Sequence, residues 1–189
     1  MTPFASLADK AAIEAVGTWE QRQPVKTLYQ LVERSAKRFP NRNALSFQIT
    51  SGPKDKAETL TWAQLMGKVN QASNMFRRLG IGEDDVVAYL LPNANETAFT
   101  LLGGAIAGIV NPINPLLEAE QIGAILRETG AKVLVTLKAF SKTDVAQKAA
   151  EAVGHAPNVK TVLEVDLLHY LSPPKSWIVP FMRPKNPIS

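Results

Sequence analysis

Residues 86–117 read VVAYLLPNANETAFTLLGGAIAGIVNPINPLL, and this stretch decides the fold. Val86–Leu91 is a short continuous apolar run, the pattern of a strand buried on both faces. Pro92 stops it, and Asn93 and Asn95 stand where helix N-caps are expected. Glu96–Gly108 then reads as a helix that is apolar nearly all round. Ile109–Ile113 reads as a second buried strand, closed by Pro112 and Pro115. Strand, helix and strand in this order make a β-α-β crossover. The small residues Gly103, Gly104, Ala107 and Gly108 would let the helix approach neighbouring backbone closely.

Working backward, Ser6 is placed to cap a short helix through Ala15. Gly17–Pro24 reads as a connector that Trp19 pins to the body. Thr27 caps a helix over Leu28–Phe39, with Leu28, Leu31, Val32, Ser35 and Phe39 on one face and Glu33, Arg34, Lys37 and Arg38 on the other. Ala44–Ile49 and Glu58–Thr61 flank the polar turn Thr50–Lys56, which predicts a hairpin. Thr61 caps Trp62–Leu79, whose inward face would be Leu65, Val69, Ala72, Met75, Phe76 and Leu79, with Gly80 as the stop.

Working forward, Glu118–Thr129 is a helix with Ile122, Ile125 and Leu126 inward and Gly130 ending it. Lys132–Thr136 is a buried strand, Phe140–Val153 an amphipathic helix, and Val159–Val165 another strand. Asp166 caps one helical turn to Leu171. The expected fold is α/β: a doubly wound, mainly parallel sheet with helices on both faces, plus a small β-hairpin. The expected division places an α/β subdomain over residues 1–171 and a connector over 172–189. That last stretch holds five of the thirteen prolines, so it reads as extended chain.

The chain has 189 residues, 46% of them hydrophobic and 20% charged, which is ordinary for a globular domain. The net charge is +4 and the pI about 9.4. Lys and Arg are scattered along the chain, with no clustered stripe, so a solvated mixed-charge surface is expected and no nucleic-acid partner. There is no cysteine, which excludes disulfides and thiolate chemistry. The opening residues lack the basic-then-apolar pattern of a secretion signal. The longest apolar run, Ala98–Val110, falls short of the ~20 residues that span a bilayer. A cytoplasmic location is expected.

Several motifs in order resemble the N-terminal region of the AMP-forming acyl-CoA synthetases and related adenylating enzymes. Ala36-Lys37-Arg38-Phe39-Pro40-Asn41-Arg42-Asn43-Ala44-Leu45 is similar to that family's opening helix and strand. Leu60-Thr61-Trp62-Ala63-Gln64-Leu65 resembles its L-T-Y-x-E-L signature. Leu79-Gly80-Ile81-Gly82-Glu83-Asp84-Asp85-Val86-Val87 resembles its L-G-V-x-x-G-D-x-V, with Asp84 at the usual glycine. Leu91-Pro92-Asn93, Ala105-Ile106-Ala107-Gly108, Val110-Asn111-Pro112 and Gly130-Ala131-Lys132-Val133-Leu134-Val135-Thr136 continue the match.

The resemblance implies a parent that joins a carboxylic acid to coenzyme A, using ATP and Mg²⁺ and passing through an acyl-adenylate. It also implies a Gly/Thr-rich phosphate loop close to T-S-G-T-T-G-x-P-K-G. That loop does not occur in this sequence. The partial match Thr50-Ser51-Gly52-Pro53-Lys54 lacks the Thr-Thr-Gly centre and precedes the L-T-Y-like signature, so it reads as a hairpin turn. No catalytic, cofactor-binding or metal residue is therefore assigned, and no cofactor is expected on this chain. The expectation is an N-terminal portion that ends before the loop, catalytically silent, able to self-associate through apolar surface. The alternative is a free-standing, non-catalytic binding module.

Other candidates fare less well. Gly103, Gly104 and Gly108 sit too late in a helix for a dinucleotide fingerprint. His155 and His169 fit no metal spacing, and Asp166 with His169 reads as a surface pair. Asp84 and Asp85 read as a solvated loop. The position to watch is the turn carrying Asn111, Asn114 and Pro115, because α/β sheets place ligands at the carboxyl ends of parallel strands.

Overall fold

In the computed structural model, which describes residues 5–23, 25–50, 52, 56–141 and 143–184, the chain opens with two short helices, α1 (Leu7–Glu14) and α2 (Trp19–Arg22). Each begins with a reciprocal capping box, Ser6 with Asp9 and Thr18 with Gln21. Neither buries a residue, and Trp19 is 69% exposed instead of pinning the connector. Helix α3 (Leu28–Arg38) follows, capped by Thr27 and Gln30. Only Val32 of its apolar stripe is buried; Leu28 and Leu31 stay exposed.

Strands β1 (Asn43–Gln48) and β2 (Ala57–Thr61) form the antiparallel hairpin, with Ser46 opposite Thr59 and their hydroxyls 2.8 Å apart. Helix α4 (Trp62–Arg78) is capped by Thr61 and Gln64. It buries Leu65, Val69, Ser73 and Phe76, whereas Met75 and Leu79, expected inward, are exposed. Gly80 ends it at φ +83°, a conformation that favours glycine.

The four-stranded sheet has the order β4-β3-β5-β6 and is parallel throughout. Strands β3 (Val86–Leu90) and β5 (Val133–Leu137) lie inside it, and every residue of both is buried. Strand β6 (Thr161–Val165) forms one edge. Strand β4 (Ile109–Pro112) forms the other, so the expected second buried strand is a half-exposed edge, with Ile109 50% exposed. Pro112 ends this edge strand, a position that needs no ladder donor.

Helices α5 (Asn95–Ala107), α6 (Ala119–Glu128) and α7 (Val145–Gly154) link the strands, and α7 starts later than the apolar pattern predicts. The sheet is flanked by helices: α4 packs on α5, which lies on β3 and β4, while α6 packs on α7, which lies on β5.

Helix α5 is the tightest element. Ala94 is its N-cap, without a side-chain hydrogen bond, so neither Asn93 nor Asn95 caps it. A Cβ on Gly103 would stand 2.6 Å from the Ala72 Cβ, and one on Gly108 would meet the Gly82 carbonyl and lie 2.5 Å from that of Asp85. Close packing is what these glycines provide. After β6 a 3₁₀ turn, Leu167–Tyr170, begins where the Asp166 carboxylate accepts from the Leu168 N–H at 2.9 Å. The last described stretch is not extended: Lys175–Ile178 forms α8, and Val179–Met182 a further 3₁₀ turn.

Candidate functional site

Three segments distant in sequence meet at the start of α5. They are α5 itself, the turn after β6, and the hairpin. The start of α5 follows the carboxyl end of β3, one of the two inner strands, where open α/β sheets hold ligands. Tyr170 is the hub and is 2% exposed. Its hydroxyl donates to the Glu96 carboxylate at 2.8 Å and accepts from the Asn95 N–H at 3.3 Å. Its ring meets Phe47 of β1 edge-to-face, with centroids 4.7 Å apart. Burial, then the bond to Glu96, push the Tyr170 phenol well above its usual range, so it acts as a neutral donor.

His169 sits beside it. Its Nδ1 is 2.8 Å from the Asp166 carbonyl, so Nδ1 carries the proton and donates. The other nitrogen, Nε2, faces Glu96 at 3.3 Å and Glu58 of β2 at 3.7 Å. The expected Asp166–His169 pair is thus a contact to the Asp166 backbone, and the ring turns toward two glutamates.

The Asp166 carboxylate instead binds the Arg183 guanidinium through both oxygens, with the Lys138 ammonium at 3.8 Å. Burial raises the Asp166 pKa, but Arg183, the Leu168 N–H and Lys138 outweigh it and hold the carboxyl below its ordinary value.

Two amides remain. Asn95 is fully buried, and among the described residues neither its Oδ1 nor its Nδ2 has a partner; the Asn111 Nδ2 on β4 is likewise buried and without a partner among them. Asn114 is used locally, its Oδ1 accepting from the Leu116 N–H at 3.0 Å, while Pro115 is half-buried in the same turn.

This arrangement is wrong for phosphate. A helix N-terminus attracts anions, yet Glu96 already occupies the first turn of α5, with Glu58 close by. The hydroxyl that does sit beside a carboxylate, that of Tyr170 on Glu96, is buried and held neutral, so it is no activated nucleophile. Of the partial phosphate-loop match, Ser51, Pro53 and Lys54 lie outside the described residues. The Gly52 carbonyl accepts from Gln48 Nε2 at 3.0 Å. ATP and Mg²⁺ do not fit these residues.

The remaining candidates have structural employment. Asp85 pairs with Lys132 at 2.6 Å and accepts from the Gly82 N–H at 3.0 Å. The Lys132 ammonium first, and that N–H next, hold its carboxyl below the usual range. Asp84 is exposed. His155 is the C-cap of α7; its Cβ lies 3.0 Å from where a Cβ on Gly123 would stand, and its carbonyl accepts from Arg127 at 2.8 Å. Among the described residues no group of three or more His, Asp or Glu could hold a metal ion.

Sequence reasoning missed Tyr170, Glu96 and Glu58. Nothing local marks them, because their partnership exists only after the sheet brings the three segments together.

Comparison with known proteins adds an independent line. The family model described as AMP-binding enzyme matches residues 32–188. The chain is 29% identical over 145 residues to the marinolic acid–CoA ligase of Pseudoalteromonas sp. (strain SANK 73390), covering 77% of this chain and 22% of that protein. It is 27% identical over 158 residues to the long-chain-fatty-acid–CoA ligase of Bacillus subtilis (strain 168), covering 83% and 26%. The fold matches the inhibitor-bound N-terminal domain of FACL13 from Mycobacterium tuberculosis with a TM-score of 0.60 at 21% identity, covering 75% of this chain and 34% of that one. The chain spans about a quarter of the length of these curated relatives.

Proposed function

The chain belongs to the AMP-binding enzyme family, and from that premise we propose that it is the N-terminal portion of an ATP-dependent, AMP-forming acyl-CoA synthetase of the cytoplasm. The parent would convert a carboxylic acid, ATP and coenzyme A to acyl-CoA, AMP and pyrophosphate. Residues 1–171 act as scaffold, and 172–189 lead toward the parts that hold ATP, Mg²⁺ and coenzyme A. The chain itself supplies no catalytic residue. The observation that carries this reading is the family match over 32–188, in a sequence without the T-S-G-T-T-G-like loop.

The reaction brings two anions together, so it needs backbone donors, a lysine and a cation around the phosphates. The carboxylates at the start of α5 offer the opposite charge. Their role is to tie the hairpin and the turn after β6 to the sheet, which fixes the frame on which the reacting parts sit.

Self-association belongs to the same reading. Trp177, Ile178, Phe181 and Met182 are 67%, 52%, 91% and 60% exposed on consecutive helical turns. Such a run is the composition of a covered surface.

The test is pyrophosphate release from ATP with a panel of carboxylic acids. The 189-residue chain is expected to release none. A longer protein carrying this chain and a downstream phosphate loop is expected to form acyl-CoA with at least one acid. Turnover by the short chain, or an inactive long one, defeats the proposal.

A further inference from the structure

Helix α4 carries a polar ladder on one of its faces. Asn70, Ser73, Asn74 and Arg77 recur at the three-four spacing that puts side chains in one row. All four line a cleft of about 650 Å³, together with Leu28 and Tyr29 from the start of α3 and Ile106 from the end of α5. That volume is within the range of ligand sites. Leu28 and Tyr29 are 38% and 36% exposed, so α3 leaves the cleft open.

The ladder is unused inside the molecule. Ser73 is 5% exposed. Among the described residues no hydrogen bond reaches the side chains of Asn70, Ser73 or Asn74. Buried polar side chains normally have such a partner. The Arg77 guanidinium donates to the Ile106 carbonyl at 3.2 Å, which aims it along the cleft. Among the described residues no carboxylate lies within ion-pair distance of it.

The spacing of the ladder identifies an occupant. A carboxamide offers both an acceptor and donors, the complement of the C=O and N–H of a peptide group. Asn70 and Asn74 stand about 6 Å apart along the helix axis. In an extended chain, alternate residues face the same side about 6.7 Å apart. Two amides on α4 therefore match two alternate peptide groups, and Arg77 ends the row with a positive charge. Leu28, Tyr29 and Ile106 supply apolar contact for side chains of the same segment. We propose that the cleft between α3, α4 and α5 binds an extended peptide segment of a partner protein, with a carboxylate seated on Arg77.

Other ligand classes match less well. A nucleotide brings several negative charges against one guanidinium, and the Asn carbonyl oxygens would face its phosphates. A purely apolar ligand would cover Ser73 and both amides without giving them a partner. The inference does not rest on the synthetase reading.

The test is fluorescence anisotropy of the whole 189-residue chain with a fluorescein-labelled hexapeptide of alternating valine and threonine that ends in aspartate amide. Saturable binding is expected at or below about 100 μM. Replacing the aspartate by asparagine amide should weaken it about tenfold or more, and asparagine with a free carboxyl end shows whether a terminal carboxylate serves as well. Asn70→Ala/Asn74→Ala should weaken binding about tenfold. Arg77→Gln should abolish the preference for aspartate over asparagine, whereas Arg78→Gln, an equal loss of charge on the same helix, should leave it intact. The carboxylate fixes the register, so two isomers of the peptide, N-methylated on one or the other set of alternate amides, should differ about tenfold. Alanine and glutamine suit a helix interior, and circular dichroism confirms that each variant is folded. Absence of saturable binding, equal binding of the two methylated isomers, an unchanged preference in Arg77→Gln, or displacement of the peptide by AMP overturns the proposal.

Discussion

The crossover β3-α5-β4 and the carboxyl-terminal stretch 166–184 are held in opposite ways. In the crossover, backbone lies against backbone, and Gly103 and Gly108 leave no room for a side chain. In the later stretch, a few polar side chains do the holding: Asp166 with Arg183, Tyr170 with Glu96, His169 with two glutamates. The contrast teaches where this molecule tolerates change. A close backbone approach has no slack, because the opposing atoms cannot rotate away. A side-chain staple can be removed one bond at a time.

The largest effect should come from Gly108→Val. Its Cβ would strike the Gly82 and Asp85 carbonyls, and overpacking against backbone is expected to cost about 3 kcal/mol or more. Urea denaturation measures it. Gly67 sharpens the point, since among the described residues nothing lies within 4 Å of a Cβ there. Gly67→Ala in α4 should instead gain about 0.5–1 kcal/mol. A loss at Gly67 equal to that at Gly108 would erase the distinction.

Tyr170→Phe comes next. It strips the donor from Glu96 and the acceptor from the Asn95 N–H while keeping the ring on Phe47. Leaving the buried Asn95 N–H unmet, and the part-exposed Glu96 carboxylate with His169 alone, should cost about 1–3 kcal/mol, read from the same denaturation curves.

Asp166 gives a smaller, pH-dependent effect. Its folded pKa lies below the unfolded value. Its contribution is therefore complete above about pH 3.9 and disappears as pH falls through the folded value. With a partly exposed carboxylate, solvent screening limits it to about 1 kcal/mol or less. Asp166→Asn should be less stable than the parent at neutral pH, and the two urea midpoints should merge in acid. A gap that persists below the folded pKa would mean the side chain acts by shape.

The smallest effect on stability belongs to Trp177→Ser/Phe181→Ser. Both side chains are exposed, so stability should stay within about 0.5 kcal/mol. Self-association measured by light scattering should fall.

What could be read from the sequence was what acts over one helical turn or one strand. Thr27, Thr61 and Asp166 cap within two or three residues, so each is found where the sequence places it. The buried runs of β3 and β5 and the packing glycines of α5 were legible for the same reason. The polar cluster was not. Glu58, Glu96 and His169 come from separate elements, and no pattern in any one of them announces the other two.

Exposure was also poorly legible. Leu28, Leu31, Met75 and Leu79 fall on apolar stripes yet stay exposed, because a stripe says which face is apolar and not how wide the covering surface is. Ile109–Pro112 has the composition of an inner strand and became an edge, since strand order is a property of the whole sheet. The tail's prolines suggested extension, but Pro180 stands in the first turn of a 3₁₀ segment, where the missing N–H does no harm.

The strand order has a consequence for biosynthesis. β3 is the first strand of the sheet to leave the ribosome and also an inner one. One flank finds β4 soon, but the other waits for β5, a delay of roughly 2–9 s at ordinary elongation rates. For those seconds a nascent chain carries a fully apolar ribbon with an open ladder, which makes this interval the natural point of engagement for a chaperone.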